Sequence, residues 1–408
     1  MSAEITLPAG APEEVVTNAL VRDIDLSAFG GKGTMALITL DNGHDHNRPN
    51  TFGPQSINAL NNAITDAIGR NPAAIAITGK PFIFAAGADL SALSFLTDRS
   101  QALAIGKLGH DVFRRLGESK IQTFAFINGL ALGGGLEVGL HCHYRTVSST
   151  AFTALPEVFL GLVPGWGGAT ILPKLIGPER AVQVIMLNAL NNNTMMKAKD
   201  ALKLGVVDAM FDPADFLERS IGFAVGILNG TTKIERADYS NDPAWETALA
   251  TGKAAALKKY GGATIASPMK ALELIAAARS NTLGEGFDAE DQVLADLTMS
   301  DTLRSSLYAF NVIQKKRKKV EGAPKPALAR KVTKVGIVGA GLMASQLALL
   351  MVRNLKCPVV MTDIDQERAD KGVAWVKNEL AKLVEKKRMS AESAGRLTLL
   401  ISGSADQS

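Results

Sequence analysis

Two glutamates in glycine-rich surroundings carry the strongest chemical signal in this sequence. The stretch Asn128-Gly129-Leu130-Ala131-Leu132-Gly133-Gly134-Gly135-Leu136-Glu137 sets three consecutive glycines where a helix should begin. Unpaired amides and the positive end of a helix dipole at such a start suit a developing negative charge. Glu157 stands twenty residues after Glu137, and a second glycine-rich turn follows it, Gly161-Leu162-Val163-Pro164-Gly165-Trp166-Gly167-Gly168, which can bring a glutamate close to a ligand. Roughly forty residues before the triple glycine, Phe82-Ile83-Phe84-Ala85-Ala86-Gly87-Ala88-Asp89 ends an apolar run in small residues, so backbone amides there can approach a ligand closely. Two carboxyl groups flanking one water, one ionised and one protonated, fit general acid/base addition of that water, while paired amides fit an oxyanion. Each feature also has an ordinary structural reading. A glutamate at a helix start is commonly a cap or a surface charge, three glycines permit close helix packing, and Asp89 reads as the cap of a helix opening at Ser91.

A second set of residues fits dinucleotide binding. Val335-Gly336-Ile337-Val338 reads as a strand, Gly339-Ala340-Gly341-Leu342-Met343-Ala344 fits G-x-G-x-x-[G/A], and residues 345–354 continue as a helix. The strand 358–362 then ends in Asp363, twenty-four residues after Gly339. In this pattern Gly339 makes the tight turn, Gly341 lets the pyrophosphate approach, Ala344 packs helix on strand, and Asp363 takes the adenosine ribose hydroxyls. An acid there, with no arginine directly beside it, favours NAD over NADP, a preference that Arg368 tempers.

The elements that must position these residues are legible from periodicity. Residues 35–40 read as a strand running into a polar loop, 41–50. Ile57, Leu60, Ile64, Ala67 and Ile68 form a helical stripe over 56–68, and 73–78 is a short buried strand. The pattern repeats with a helix over 105–116 and a strand over 122–127, giving a layered α/β domain. After residue 155 prolines break up short elements, and long helices are predicted over 268–280, with Leu272, Ile275 and Ala276 on one face, and over 292–313. A proline- and alanine-rich linker, 320–329, precedes the dinucleotide pattern.

The AGAD, GGGxE and PExxLGxxPGxGG segments, in this order and spacing, resemble the crotonase (enoyl-CoA hydratase/isomerase) family. The resemblance implies a spiral ββα core and a coenzyme A thioester substrate. Carried over by position, it implies that the amides of Ala86 and Gly134 form the oxyanion hole. Glu137 would activate water, Glu157 would deliver a proton to C2, and Gly87, Ala88, Asp89 and Gly165 would belong to the substrate site. Family members that only isomerise, dehalogenate or hydrolyse often lack one glutamate, so the presence of both implies hydration of 2-trans-enoyl-CoA to 3-hydroxyacyl-CoA, as in fatty-acid β-oxidation. Isomerisation of 3-enoyl to 2-enoyl-CoA is the expected second activity. Two other readings stand beside this one: an acyl-CoA-binding or assembly module without catalysis, and another crotonase-type reaction.

A crotonase-like unit followed by helices and a Rossmann opening resembles the multifunctional β-oxidation enzymes. In these the product passes to an NAD-dependent 3-hydroxyacyl-CoA dehydrogenase on the same chain, and a thiolase subunit can join the complex. The expected fold class is therefore α/β: a hydratase domain over 1–262, a helical linker completing it over 263–329, and an incomplete Rossmann nucleotide-binding domain over 330–408. Fewer than eighty residues follow Lys331, and the family's catalytic histidine and its partner glutamate lie beyond them. The chain reads as a fragment; NAD is expected of the intact dehydrogenase rather than of this shortened part, and no residue here is assigned to hydride transfer.

Composition sets the frame. A chain of 408 residues, 47% hydrophobic and 21% charged, can bury large cores and is too long for one ordinary domain, which excludes a disordered or fibrous protein. No apolar run is long enough to span a membrane, and the acidic N-terminus lacks signal-peptide features, so the expected location is cytoplasmic. Cys142 and Cys357 lie far apart in unlike contexts, indicating neither a disulfide framework nor a thiolate site. A net charge of +4 gives little support to nucleic-acid binding. The basic run Lys315, Lys316, Arg317, Lys318 and Lys319 reads as the solvated end of the linker helix, with contact to coenzyme A phosphates as the alternative; Lys80 is another candidate for that contact. His141 and His143 would share one face of a strand, but neither they nor His44, Asp45 and His46 have a third ligand nearby, and no metal is expected.

Overall fold

The computed structural model describes residues 10–93, 95–313, 322–324, 326–386 and 388–406; the basic run 315–319 lies outside them. The chain divides into two units, Met1–Lys318 and Lys319–Ser408.

In the first unit a large sheet carries, in spatial order, β1 (Asn18–Asp25), β2 (Thr34–Asp41), β3 (Ala74–Gly79), β5 (Gln122–Ile127), β7 (Tyr144–Ser148) and β10 (Ala209–Phe211). β1 is the antiparallel edge, and every other neighbouring pair is parallel. A smaller sheet holds β4 (Ile83–Ala85), β6 (Leu130–Leu132), β8 (Phe152–Ala154) and β9 (Met196–Lys197). Three times the chain lays a strand in the large sheet and then one in the small sheet before entering a helix. That is the winding of a ββα spiral. The helices that follow are α1 (Pro54–Gly69) after β2, α2 (Leu90–Leu93) and α3 (Arg99–Gly117) after β4, α4 (Gly134–His141) after β6, and α5 (Glu157–Leu160) after β8; α6 (Gly168–Ile176) comes next.

Central parallel strands are covered on both faces, which is why β3 is buried at every position. Alternate side chains serve two cores. Ile75 and Ile77 pack toward α1 and α3 in the main core, whereas Ala74 and Ala76, with Phe124 and Phe126, face the Phe216–Leu228 helix. The start of α1 is closed by Glu14, whose carboxylate accepts the Gln55 and Ser56 N–H groups at 3.0 and 2.9 Å.

Three expectations need correction. The helix predicted over 292–313 is two helices, Leu283–Thr298 and Asp301–Asn311, because Ser300 caps the second one, its hydroxyl accepting the Leu303 N–H at 3.2 Å. His141 and His143 do not share a strand face, since His141 closes α4. His141 Nε2 donates to the Trp166 carbonyl at 3.0 Å, and His143 Nδ1 accepts the Thr123 N–H at 3.0 Å. Lys80 does not reach out to phosphate. Its ammonium, buried under the loop 41–50, donates to Asn42 Oδ1 at 2.5 Å and to the carbonyls of Arg48, His44 and Asp45 at 2.7, 2.8 and 3.1 Å.

The second unit has three parallel strands in the order β11 (Val335–Val338), β12 (Val359–Thr362), β13 (Ile401–Ser404). The helices Leu342–Leu355 and Gln366–Glu385 contribute Ala348, Val352, Val376 and Leu380 to a core around Val359 and Met361. Among the described residues, no helix is long and apolar enough to cross a membrane.

The close approach of α4 to β4 tests this packing. A Cβ on Gly135 would run into the carbonyl of Ala85. Gly135→Ala is therefore expected to destabilise the first unit by about 1–3 kcal/mol, read as a lower urea midpoint.

Candidate active site

Three sequence segments that lie apart in the chain meet at the start of α4. Gly87 sits at φ 85, and a Cβ there would lie 3.1 Å from the Gly134 nitrogen and 2.8 Å from the Leu132 carbonyl oxygen. Gly133, at φ 52, is so close to Glu157 that a Cβ would come within 2.5 Å of its Oε1. Only glycine satisfies both the left-handed backbone and the close approach at these two positions. The cavity they border has about 710 Å³ of space, partly open to solvent, and is lined by Ala86, Gly87, Ala88, Gly133, Gly134, Glu137, Glu157, Gly165 and Trp166. Leu90, Leu93, Leu96, Ile105 and Leu294 make the rest of its wall largely apolar.

Glu137 and Glu157 both line this cavity. Glu137 is 2% exposed, and its Oε1 accepts the N–H groups of Trp166 at 2.8 Å and Gly168 at 2.9 Å. Burial, then the nearby Glu290 carboxylate, push its pKa up to about 7 against the pull of those two amides. Burial and then the Glu137 charge raise Glu157 well above the ordinary carboxyl range, and its Oε2 is buried with no partner among the described residues. Two carboxyls this enclosed resist double ionisation, so at neutral pH one holds a proton.

The amides fall out differently from the sequence expectation. Ala86 N–H is not free, because it donates to the Asn50 carbonyl at 2.8 Å. Ala88 is bridged to Phe52 through the flanking groups, Gly87 C=O and Asp89 N–H, which leaves the Ala88 N–H with no acceptor among the described residues. Gly134, first residue of α4, likewise has an amide without an acceptor among the described residues, as helix geometry requires. Asp89 is a cap. Its Oδ1 accepts from the Ser91 N–H at 2.9 Å and hydroxyl at 2.7 Å, and it is not part of the cavity wall that Gly165 does join, packed on Leu294.

Sequence reasoning missed a buried ionic cluster next to Glu137. His110 of α3 donates through Nδ1 to Asp291 Oδ1 at 2.8 Å and through Nε2 to Glu290 Oε2 at 3.2 Å. Burial alone would lower its pKa, but the two carboxylates outweigh it and raise it to about 9, so His110 is a buried cation. His141, by contrast, is pushed down to about 3 by burial and then by the His110 charge, and stays neutral. The available signal was an acidic pair, Glu290-Asp291, inside the apolar stripe of Phe287, Ala295 and Leu297 on its helix.

In the second unit the turn at Gly339 has φ 93, and an added Cβ at Gly339 or Gly341 meets nothing within 4 Å, so the loop is open. The Leu342–Leu355 helix begins without a side-chain cap, leaving its first amides for an anion. Asp363 directly follows β12, its Oδ2 accepting the Ala340 N–H at 2.8 Å, while Arg368 pairs with Asp365 at 3.4 Å. These residues fit a dinucleotide: the glycine turn and helix start for the pyrophosphate, Asp363 for ribose hydroxyls.

Comparison with known proteins decides the family. Residues 30–261 match the enoyl-CoA hydratase/isomerase family, and 334–408 match the NAD binding domain of 3-hydroxyacyl-CoA dehydrogenase. The chain belongs to the enoyl-CoA hydratase/isomerase family. Among curated relatives of this crotonase chain, the fatty acid oxidation complex subunit alpha of Shewanella loihica is 30% identical over 364 residues, 86% of this chain and 49% of the relative. The peroxisomal fatty acid beta-oxidation multifunctional protein MFP2 of Arabidopsis thaliana is 30% identical, over 92% of this chain and 51% of its own length. The chain thus spans about half the length of the curated relatives it matches. The crotonase fold is shared with a carnitinyl-CoA dehydratase from Mycobacterium thermoresistibile (TM-score 0.54, 19% identity, 76% of this chain and 94% of that one). It is shared also with human mitochondrial delta3-delta2-enoyl-CoA isomerase (TM-score 0.51, 18% identity, 74% and 99%).

The His110 cluster ties stability to pH. A histidine raised from 6.5 to about 9 contributes stability that is complete below its unfolded-state value and is lost as pH rises through about 9. The urea midpoint of the first unit is expected to fall between about pH 7 and pH 10. Removing the cation would also raise Glu137 and Asp291 further, so the share that belongs to His110 is read from its own ring resonances, expected to titrate at about pH 9; titration near 6.5 would show that His110 is not held as a cation.

Proposed function

We propose that the first unit hydrates 2-trans-enoyl-CoA to 3-hydroxyacyl-CoA in fatty-acid β-oxidation, with 3-enoyl to 2-enoyl-CoA isomerisation as a second activity of the same carboxyls. One observation carries the reading: two buried carboxyls of raised pKa share an apolar cavity with two unpaired amides, that of Ala88 beside its bridge to Phe52 and that of Gly134 at a helix start. Adding water across the enoyl double bond moves charge onto the thioester oxygen as an enolate. The N–H groups of Ala88 and Gly134, in place of the Ala86 amide expected from the motif, are the donors for that oxygen. One such donor is typically worth about 10²–10³ in rate, because it binds the transition state more tightly than the ground state. Glu137, ionised, takes the proton of the attacking water, and Glu157, protonated, supplies C2. The environment supports this division, since Glu137 is held by two amides that favour its anion whereas Glu157 Oε2 has no donor among the described residues.

In the second unit we infer a dinucleotide site in which Gly339, Gly341 and the helix start hold the pyrophosphate, Ala344 packs the helix and Asp363 selects NAD. NAD supplies a hydride acceptor when bound. Oxidation of the 3-hydroxyl followed by thiolytic cleavage is the chemistry that would consume the hydratase product. The reading accordingly includes a thiolase partner in a cytoplasmic multienzyme complex, consistent with the name of the Shewanella relative.

The test is the enone absorbance of crotonyl-CoA, which should fall on adding the protein. Glu137→Gln and Glu157→Gln should each slow that fall by about 10²–10⁴-fold. Because Glu137 must be ionised, kcat/KM should drop as pH falls through about 7, and it should drop again at high pH as Glu157 loses its proton. Binding without loss of absorbance would establish an assembly module instead, and a different product would establish another crotonase reaction. For the second unit, Asp363→Ala should weaken NAD binding by calorimetry about tenfold, the loss expected for a charge-assisted hydrogen bond. Equal affinities would remove Asp363 from the site.

A further inference from the structure

His110 and Glu290 are buried groups outside the carboxyl pair, yet one turn of backbone joins them to it. The outer amides of Trp166-Gly167-Gly168 donate to Glu137 Oε1 at 2.8 and 2.9 Å. The amide between them, Gly167 N–H, donates to Glu290 Oε2 at 2.6 Å. Gly167 sits at φ 103 and has no side chain with which to fix itself. Its position is set from outside by Glu290 on one side and by His141, holding the Trp166 carbonyl at 3.0 Å, on the other. Glu290 is itself fully buried and fastened by His110, whose ring stacks on Phe287 with centroids 4.7 Å apart.

We propose that Glu290 is a positioning residue for Glu137: it fixes the turn whose amides aim the Glu137 carboxylate and, with His110, sets the charge beside it. The kinetic consequences rest on the hydratase reading above, but the titration of Glu137 does not. Reach and charge act separately. An oxygen at the Gly167 N–H holds the turn whether or not it is charged. The negative charge raises the proton affinity of Glu137, as the direction of its shift shows, and the His110 cation opposes that effect. The other charged or titratable groups around Glu137 are Glu157 on α5, His141 at the end of α4, Lys107 and Arg114 beside His110 on α3, and Asp291 next to Glu290. A substitution at Glu290 leaves all of them in place.

Two variants of the full chain separate the effects. Glu290→Gln keeps an oxygen for Gly167 and removes the charge, and Glu290→Asp keeps the charge and shortens the reach. With crotonyl-CoA, Glu290→Gln should move the acid limb of kcat/KM to lower pH by about half a unit or more. Glu290→Asp should lower kcat about tenfold or more with KM within about twofold and the limb unmoved, as expected for misplaced catalytic geometry. A residue that only fills space would change the folded yield and leave both readouts as in the parent. Carbon-13 carboxyl resonances, with Glu137 assigned by its loss in Glu137→Gln, should show the same downward shift without any substrate. That measurement stands even if the parent chain fails to turn over crotonyl-CoA, an outcome that would sink the hydratase reading alone. An unmoved Glu137 titration in Glu290→Gln together with parental kcat in Glu290→Asp overturns the proposal; where Glu290→Gln does not fold, parental kcat in Glu290→Asp overturns it.

Discussion

Everything in the first unit depends on keeping several carboxyl groups, drawn from distant parts of the chain, out of water in one region of the core. Glu137, Glu157, Glu290 and Asp291 share that region, and among the described residues of the cluster His110 is the buried cation. Uncompensated buried charge is costly, so the cluster adjusts by holding protons and by turning backbone amides inward. The amides come from one glycine turn, which divides its donors between Glu137 and Glu290 and gives Glu157 none. A shared constraint thus produces unlike neighbours: one carboxyl whose anion is supported and one whose neutral form is. That difference is what an acid and a base working on the same molecule require.

The fold supplies the constraint through glycine contacts rather than through long side chains. β4 and α4 approach so closely that the Ala85 carbonyl occupies the space a side chain at Gly135 would need, and the Trp166 ring takes the corresponding space at Gly134. The Trp166 indole is wedged also against Gly109, one residue before His110. The same ring therefore presses the start of α4, where the unpaired amide lies, and the helix that carries the cation. Rigid packing of this kind holds amides in a fixed orientation before substrate arrives, which is the condition for electrostatic stabilisation without reorganisation.

Legibility in the sequence followed locality. The glycine segments could be read because close approach and left-handed backbone restrict residue choice at Gly87, Gly133 and Gly167, leaving a mark in the residues themselves. The free amide could not be read that way. Whether Ala86 or Ala88 is unpaired is set by how the segment bridges to the chain at Asn50 and Phe52, a pairing that no spacing within AGAD encodes. His110 and Glu290 were hidden for a different reason. They lie 180 residues apart on helices whose apolar faces read as ordinary core, and only their meeting makes either remarkable as chemistry. The break at Ser300 and the helical state of His141 were lost to periodicity, which carries through a capping serine and does not register that a glycine-started helix runs to its next histidine.

The helices beyond the matched family span are part of the site rather than a tether. The match ends at residue 261, while Leu294 and Thr298 line the cavity and Glu290 holds the turn that orients Glu137. Without the Leu283–Thr298 helix, His110 would face no carboxylate from that side, and the Gly167 amide would lose its acceptor. The apolar wall would lose Leu294, against which Gly165 is packed, and water would reach the carboxyls. Exposure to water would relax the pKa of Glu157 toward its ordinary value and remove the proton that the proposed hydration draws on. The unit that encloses the carboxyl pair is thus longer than the matched family span, because the groups that set the charge and orientation of Glu137 are recruited from a helix beyond residue 261.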